Sequence, residues 1–340
     1  MNVKEVIALA KRWVDETGSA LPGFRGAYLA GSINEMGKDD PFPSFKDVDV
    51  YVVVEDLSRI AVPQEKFLYQ GFLLESLCKS LEEHRSPETI LSSAYAGSVA
   101  CGEILSDPEG LLRGLQAAVA AEYARPRWIA ARCEGQKQQI AYLLSQVELA
   151  PDPVFFLGFA VLFLGVLVAM ASARTPTVRR CLALSRELLE RHGRPDLHEE
   201  ILRLQGSARM ERGEVVGRLE DCVQAFDRAV DVLRTPFYTS WNLDAATRPY
   251  LIEGAYEMID RGEHREAMFW ISMMHSIANM AIQNDAPEAE RSHYQAGMER
   301  LKAALGIPGP AEWQSRIALA RSVSERVIRF ADEVVAHDSP

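Results

Sequence analysis

The sequence predicts an α+β protein of two domains, a small mixed β-sheet domain followed by an all-α helical-bundle domain, and three observations carry that prediction. Its 340 residues are about twice the usual size of one domain. Up to about residue 80, short β-prone runs alternate with turns. From about residue 86 onward the apolar residues recur at helical spacing. No fixed-period self-similarity accompanies the helical part, so a solenoid is not expected. The domains are placed at 1–120 and 121–340.

The first element is an amphipathic helix: Val3, Val6, Ile7, Ala10, Trp13 and Val14 share one face, and charged residues occupy the rest. Its charge distribution is that of a helix packed on a core and not of a signal peptide. Strands follow at 26–30 (GAYLA), 47–54 (DVDVYVVV), 66–69 and 72–79, the last two joined at Gln70-Gly71. Ser86-Pro87-Glu88 then opens a helix with a cap, a proline at N1 and an acid in the first turn. Further helices are expected at 109–122, 126–148, 152–173, 177–192, 212–235, 245–261, 263–282, 286–305 and 311–336, punctuated by the loops 192–195 (HGRP) and 306–310 (GIPGP). Within 212–235, Leu219, Cys222, Val223, Phe226, Val230 and Leu233 form a single apolar stripe.

Composition narrows the function. Apolar residues at 48% and charged residues at 25% exclude a disordered or collagenous chain. With 37 Lys and Arg against 48 Asp and Glu, the net charge of −11 argues against a general nucleic-acid binder. The five cysteines are widely spaced and form no CxxC pair, which fits a reducing, cytoplasmic setting and neither a disulfide framework nor a zinc knuckle. One run, 154–173, is uncharged and long enough to cross a bilayer. Asp152 and Pro153 before it form a cap and N1 pair, and no Trp or Tyr belt flanks it, so a helix buried on all sides is expected and no membrane span.

The informative stretch is 28–54, YLAGSINEMGKDDPFPSFKDVDVYVVV. A strand ends in Gly31-Ser32, a polar loop follows, and the next strand opens with Asp47 and Asp49. Residues i and i+2 of a strand share a face, so both carboxylates point one way while Val48 and Val50 point into the core. Adjacent carboxylates repel unless a cation lies between them, and a hard ion such as Mg²⁺ takes one or two carboxylates and completes its shell with water and phosphates. Gly31 permits close backbone approach, and Ser32 offers a hydroxyl and an amide to a phosphate. Glu75 lies between Leu73 and Leu77 on its side of a later strand, where an acid needs a partner or a task.

This order of a strand ending in Gly-Ser, a loop, Asp-Val-Asp-Val and a third acid on a later strand resembles the DNA polymerase β-type nucleotidyltransferase superfamily. With its helical second part the chain is similar to the aminoglycoside and lincosamide nucleotidyltransferase branch. The motif covers about residues 26–79, and the remainder agrees only in class. The resemblance implies a nucleotidyltransferase domain at 1–120 and Mg²⁺, two ions, held by Asp47, Asp49 and Glu75. It further implies a nucleoside triphosphate, ATP being the expected one, with its phosphates at Gly31 and Ser32. A hydroxyl of a small-molecule acceptor would attack the α-phosphate and release pyrophosphate, with Glu75 as ligand or base. The segment 104–110 (ILSDPEG) looks like the strand and Asp-Pro turn that closes the family's catalytic domain. Two features depart from the pattern: 14 residues separate Ser32 from Asp47, and Lys46 stands where a Ser often precedes the first Asp. Lys46 is expected to favour the triphosphate. Two other functions stay open, transfer to a tRNA or protein and a non-catalytic nucleotide-binding module of the same fold, and the net charge weighs against tRNA.

Among the remaining basic residues, Lys137 is the expected triphosphate contact, ahead of Arg125, Arg127, Arg132, Arg174, Arg179 and Arg180. His264 and His275 near Trp270, Met273 and Met274 suggest either an acceptor pocket or a core face. Glu253, Glu257 and Asp260 suggest either a cationic acceptor site or a solvated helix face. There is no Walker A, GxGxxG, GxSxG or HxxxH motif. The sequence names neither the acceptor nor the oligomeric state.

Overall fold

The computed structural model of the chain describes residues 1–149 and 152–337. Its strands are β1 (Phe24–Ala30), β2 (Asp47–Val54), β3 (Gln64–Tyr69), β4 (Phe72–Ser80) and β5 (Ile104–Ser106), joined in one mixed sheet in the order β3-β4-β2-β1-β5. β1 pairs antiparallel with β2 and β5, β3 pairs antiparallel with β4, and the central pair β2–β4 is parallel. Positive φ at both Gln70 (48°) and Gly71 (90°) makes the β3–β4 link a tight two-residue hairpin whose twist matches that of the strands.

Alternation along β2 divides the sheet's two faces. Val48, Val50, Val52 and Val54 pack with Val3, Val6, Ala10 and Val14 of α1 (Val3–Glu16). That helix buries the six residues of its predicted face and begins with a reciprocal cap between Asn2 and Glu5. On the opposite face Tyr28 and Val53 pack with Ile90 and Leu91 of α2 (Pro87–Leu91), Val99 of α3 (Ala96–Cys101) and Leu115 and Val119 of α4 (Leu111–Glu122). Asp107, in the expected Asp-Pro turn, caps α4 by accepting from the Leu112 and Arg113 amides.

Contacts divide the chain into one unit, Met1–Gly135 with Ala173–Thr175, and a second, Gln136–Ser172 with Pro176–Pro340. The division falls inside α5 (Pro126–Ser145). Every strand among the described residues belongs to the first unit.

The second unit is helical among its described residues: α6 (Pro153–Ala171), α7 (Cys181–Arg191), α8 (Pro195–Gln205), α9 (Arg212–Val232), α10 (Gly254–Asp260), α11 (His264–Asp285), α12 (Glu288–Ala304) and α13 (Pro310–His337). The uncharged run forms α6, the one described helix long and apolar enough to cross a membrane. Of its most apolar stretch 78% is buried inside the protein, against α7, α8, α11 and α13. Asp152 caps it through the Val154 and Phe155 amides, and at Gly158 a Cβ would overlap Met273 of α11. The expected buried helix is therefore an interior element of this unit.

Two expectations are corrected here. The punctuation at 192–195 separates two helices as expected, but Pro195 is already the first residue of α8, a helix absent from the expected set. The expected helix 245–261 is broken into a 3₁₀ turn (Ala245–Thr247), a π turn (Pro249–Glu253) and α10, since Pro249 has no N–H to continue a helix through that point.

Candidate metal centre

Strand register brings the acids together. In the ladder Ala30 faces Asp49, Asp49 faces Glu75 and Glu75 faces Lys66, one row across four strands, with Asp47 two residues along on the same face. Ligand oxygens of Asp47, Asp49 and Glu75 lie within 4.8 Å of one another. Burial and the neighbouring charges of Asp47 and Glu75 push the Asp49 carboxyl well above its usual range, with Lys66 opposing.

Gly31 follows directly after β1, at φ +68°, and a side chain there would overlap Asp49 Oδ2. Only glycine combines that left-handed turn with so close an approach. Beyond it the chain makes a 3₁₀ turn, Gly31–Glu35, which Asn34 pins by donating to the Leu29 carbonyl at 3.1 Å and accepting from the Glu103 amide at 3.2 Å. Lys46 Nζ donates to Ser32 Oγ at 3.0 Å, so the lysine that precedes the first aspartate is folded back onto the Gly-Ser turn.

The sequence reading missed Lys66. Its Nζ lies 2.7 Å from Asp47 Oδ2 and 2.6 Å from Glu75 Oε2, and its side chain is 2% exposed. A buried ammonium costs several kcal/mol unless it is paired, and these two carboxylates supply the pairing. Gln64, also on β3, donates to Glu75 Oε1 at 2.6 Å. A signal for the pair was present: a two-residue turn at 70–71 sets residue 66 opposite residue 75 by counting outward. Tyr51 was missed as well. It follows Asp49 on the same face, its phenol is pushed up by burial and by Asp49 and Glu75, and Lys79 Nζ lies 5.4 Å from its ring centre.

The other candidates have their own partners. Lys137 lies in the helical unit and pairs with Asp332 of α13. Arg132 is buried and donates to the Leu91 and Tyr123 carbonyls, Arg179 donates to the Tyr250 carbonyl, and Arg180 pairs with Glu263. Arg125 and Arg127 pair with Glu122. Arg174 reaches Glu35, at the end of the Gly31 turn, at 3.7 Å. Glu257 and Asp260 pair with Arg261 and Arg212. Of the aromatic and methionine group, His275, Trp270, Met273 and Met274 are all buried, so that surface is core.

What the row of side chains does chemically follows from its excess of negative charge. Three carboxylates against one ammonium suit a hard cation with oxygen ligands, and the adjoining Gly31 turn with Ser32 and Lys46 suits an anion such as a phosphate. No protein-family model matches the chain, and no curated protein matches it.

Proposed function

We propose that the chain is a Mg²⁺-dependent nucleotidyltransferase. It would transfer a nucleoside monophosphate from a triphosphate, ATP by preference, to a hydroxyl of a small molecule and release pyrophosphate. The observation that carries this reading is the set of Asp47, Asp49 and Glu75 on one sheet face, with the Gly31 turn pressed against Asp49. On this reading residues 1–120 are the nucleotidyltransferase domain, residues 121–340 are the helical-bundle domain, and the protein works in the cytoplasm.

Asp47 and Asp49 would hold the metal, and the donor set fits it, since hard divalent ions take carboxylate oxygens. When bound, Mg²⁺ supplies positive charge to the phosphates and to the leaving pyrophosphate. Ser32 and Lys46 would bind the phosphate tail, with a hydroxyl and an ammonium 3.0 Å apart. Glu75 completes the acid set and accepts hydrogen bonds from Gln64 and Lys66.

One observation favours a second reading, a non-catalytic nucleotide-binding protein of the same fold: Lys66 already gives Asp47 and Glu75 a cation. Pyrophosphate release from Mg²⁺·ATP against a panel of hydroxyl-bearing acceptors separates the two. Turnover is expected, and Asp47→Asn/Asp49→Asn should lower it about a thousandfold, the effect of losing several kcal/mol of charge stabilisation. Nucleotide binding without turnover on any acceptor would establish the second reading. Unchanged nucleotide binding and turnover in the double variant would remove the metal centre altogether.

A further inference from the structure

Lysine is common on edge strands, where its solvated charge deters a further strand from pairing. On the edge strand β3, Lys66 departs from that use, because its charge is buried and turned onto the acids. A four-carbon stem is long enough to carry an ammonium out to water, so a side chain only 2% exposed is held inward by what it binds. The oxygens that bind it are Asp47 Oδ2 at 2.7 Å and Glu75 Oε2 at 2.6 Å, and Gln64 takes the other oxygen of Glu75.

Charge and position together decide what else the acids can take. Three formal negative charges and one positive leave two, the charge of a single divalent ion. Mg²⁺ sits about 2.0–2.1 Å from its oxygens, and it cannot occupy the point between Asp47 Oδ2 and Glu75 Oε2 that the ammonium fills. The acid that the ammonium does not bridge is Asp49, whose carboxylate lies beside the Gly31 backbone.

We infer that Lys66 is a resident second cation of this centre: its ammonium holds the Asp47–Glu75 position, and the site takes one divalent ion, on the Asp47–Asp49 side. The expected pair of ions is thereby replaced by one metal and one ammonium. Lys66 is a positioning residue, acting through Asp47 and Glu75. The inference rests on the metal reading of the site given above.

Titration of the full chain with Mn²⁺ alone, followed by electron paramagnetic resonance, counts the bound ions. Wild type should bind one Mn²⁺ per chain and Lys66→Gln two, whereas Asp47→Asn/Asp49→Asn should bind none. Two ions on wild type, or a single ion on a folded Lys66→Gln chain, overturn the role of Lys66 and leave the metal centre standing. No ion on wild type, or equal binding by the double aspartate variant, overturns the metal centre and this inference with it. Circular dichroism shows whether Lys66→Gln folds. If it does not, the wild-type count decides alone, one ion supporting the resident ammonium and two excluding it.

Discussion

Both units bury carboxylates against basic side chains, and they do so with opposite charge balance. In the helical unit Glu266, 1% exposed, binds Arg186 at 2.9 Å and His198 at 3.1 Å. Burial pushes its pKa up, but the hydrogen bond from His198 and the charge of Arg186 outweigh that and leave it below the usual range. In the sheet unit Asp49 stands beside two further acids with one ammonium among them, and its pKa is driven up. A balanced buried pair holds helices together, whereas an unbalanced cluster persists at a cost to stability and is what a cation-binding site requires.

The contrast breaks most sharply at Glu266. Replacing it with Ala leaves the buried His198 and the half-buried Arg186 without their shared carboxylate, and a loss of about 2–3 kcal/mol is expected in urea unfolding. A loss under 1 kcal/mol would place Glu266 in the same class as the sheet acids.

His275 of α11 sharpens the same comparison within the helical unit, because it is buried without a bonded carboxylate. Burial holds its pKa down at about 4, with Asp221 raising it and Arg218 and Arg300 lowering it. A folded value below the unfolded 6.5 means that the stability it contributes is present above pH 6.5 and is lost as pH falls toward 4. The two values span a drop of about 3 kcal/mol. Unfolding free energies of wild type and His275→Leu measured from pH 7 to pH 4 should diverge over that window. Parallel curves would show that the imidazole is not held neutral.

The smallest effect has the reverse sign. A carboxyl with its pKa raised on folding adds stability below its unfolded value and loses it as pH rises through the folded one, so Asp49, buried beside two further acids, weakens the fold once it ionises. Asp49→Asn in the presence of a chelator should therefore raise Tm by a few degrees. A lower Tm would mean that the acid cluster is structurally balanced after all.

Much of this arrangement was legible in the residues. The valine–acid alternation of 47–54 placed Asp47 and Asp49 on one face, and Gly31 and Glu75 were readable as their neighbours. The face of α1 and the interior character of α6 followed from apolar spacing and from a cap. Sequence distance from a sheet does not say which carboxylate a lysine will meet, and Lys137 meets Asp332, nearly 200 residues away. α8 was hidden because Gly-x-Pro ends one helix and begins another with the same residues.

By itself, then, the sequence determined what short-range sterics and periodicity control: most of the element types, the face each acid occupies and the close backbone approach at Gly31. Only the tertiary structure decided how the charges are shared. Lys66 reaches Glu75 through a hairpin whose register can be counted, but it reaches Asp47 through the parallel pairing of β2 with β4, which brings a strand from beyond the hairpin to its side. Coulomb energy depends on separation in space and on exclusion of water. The charge state of a site is therefore settled by which strands lie side by side.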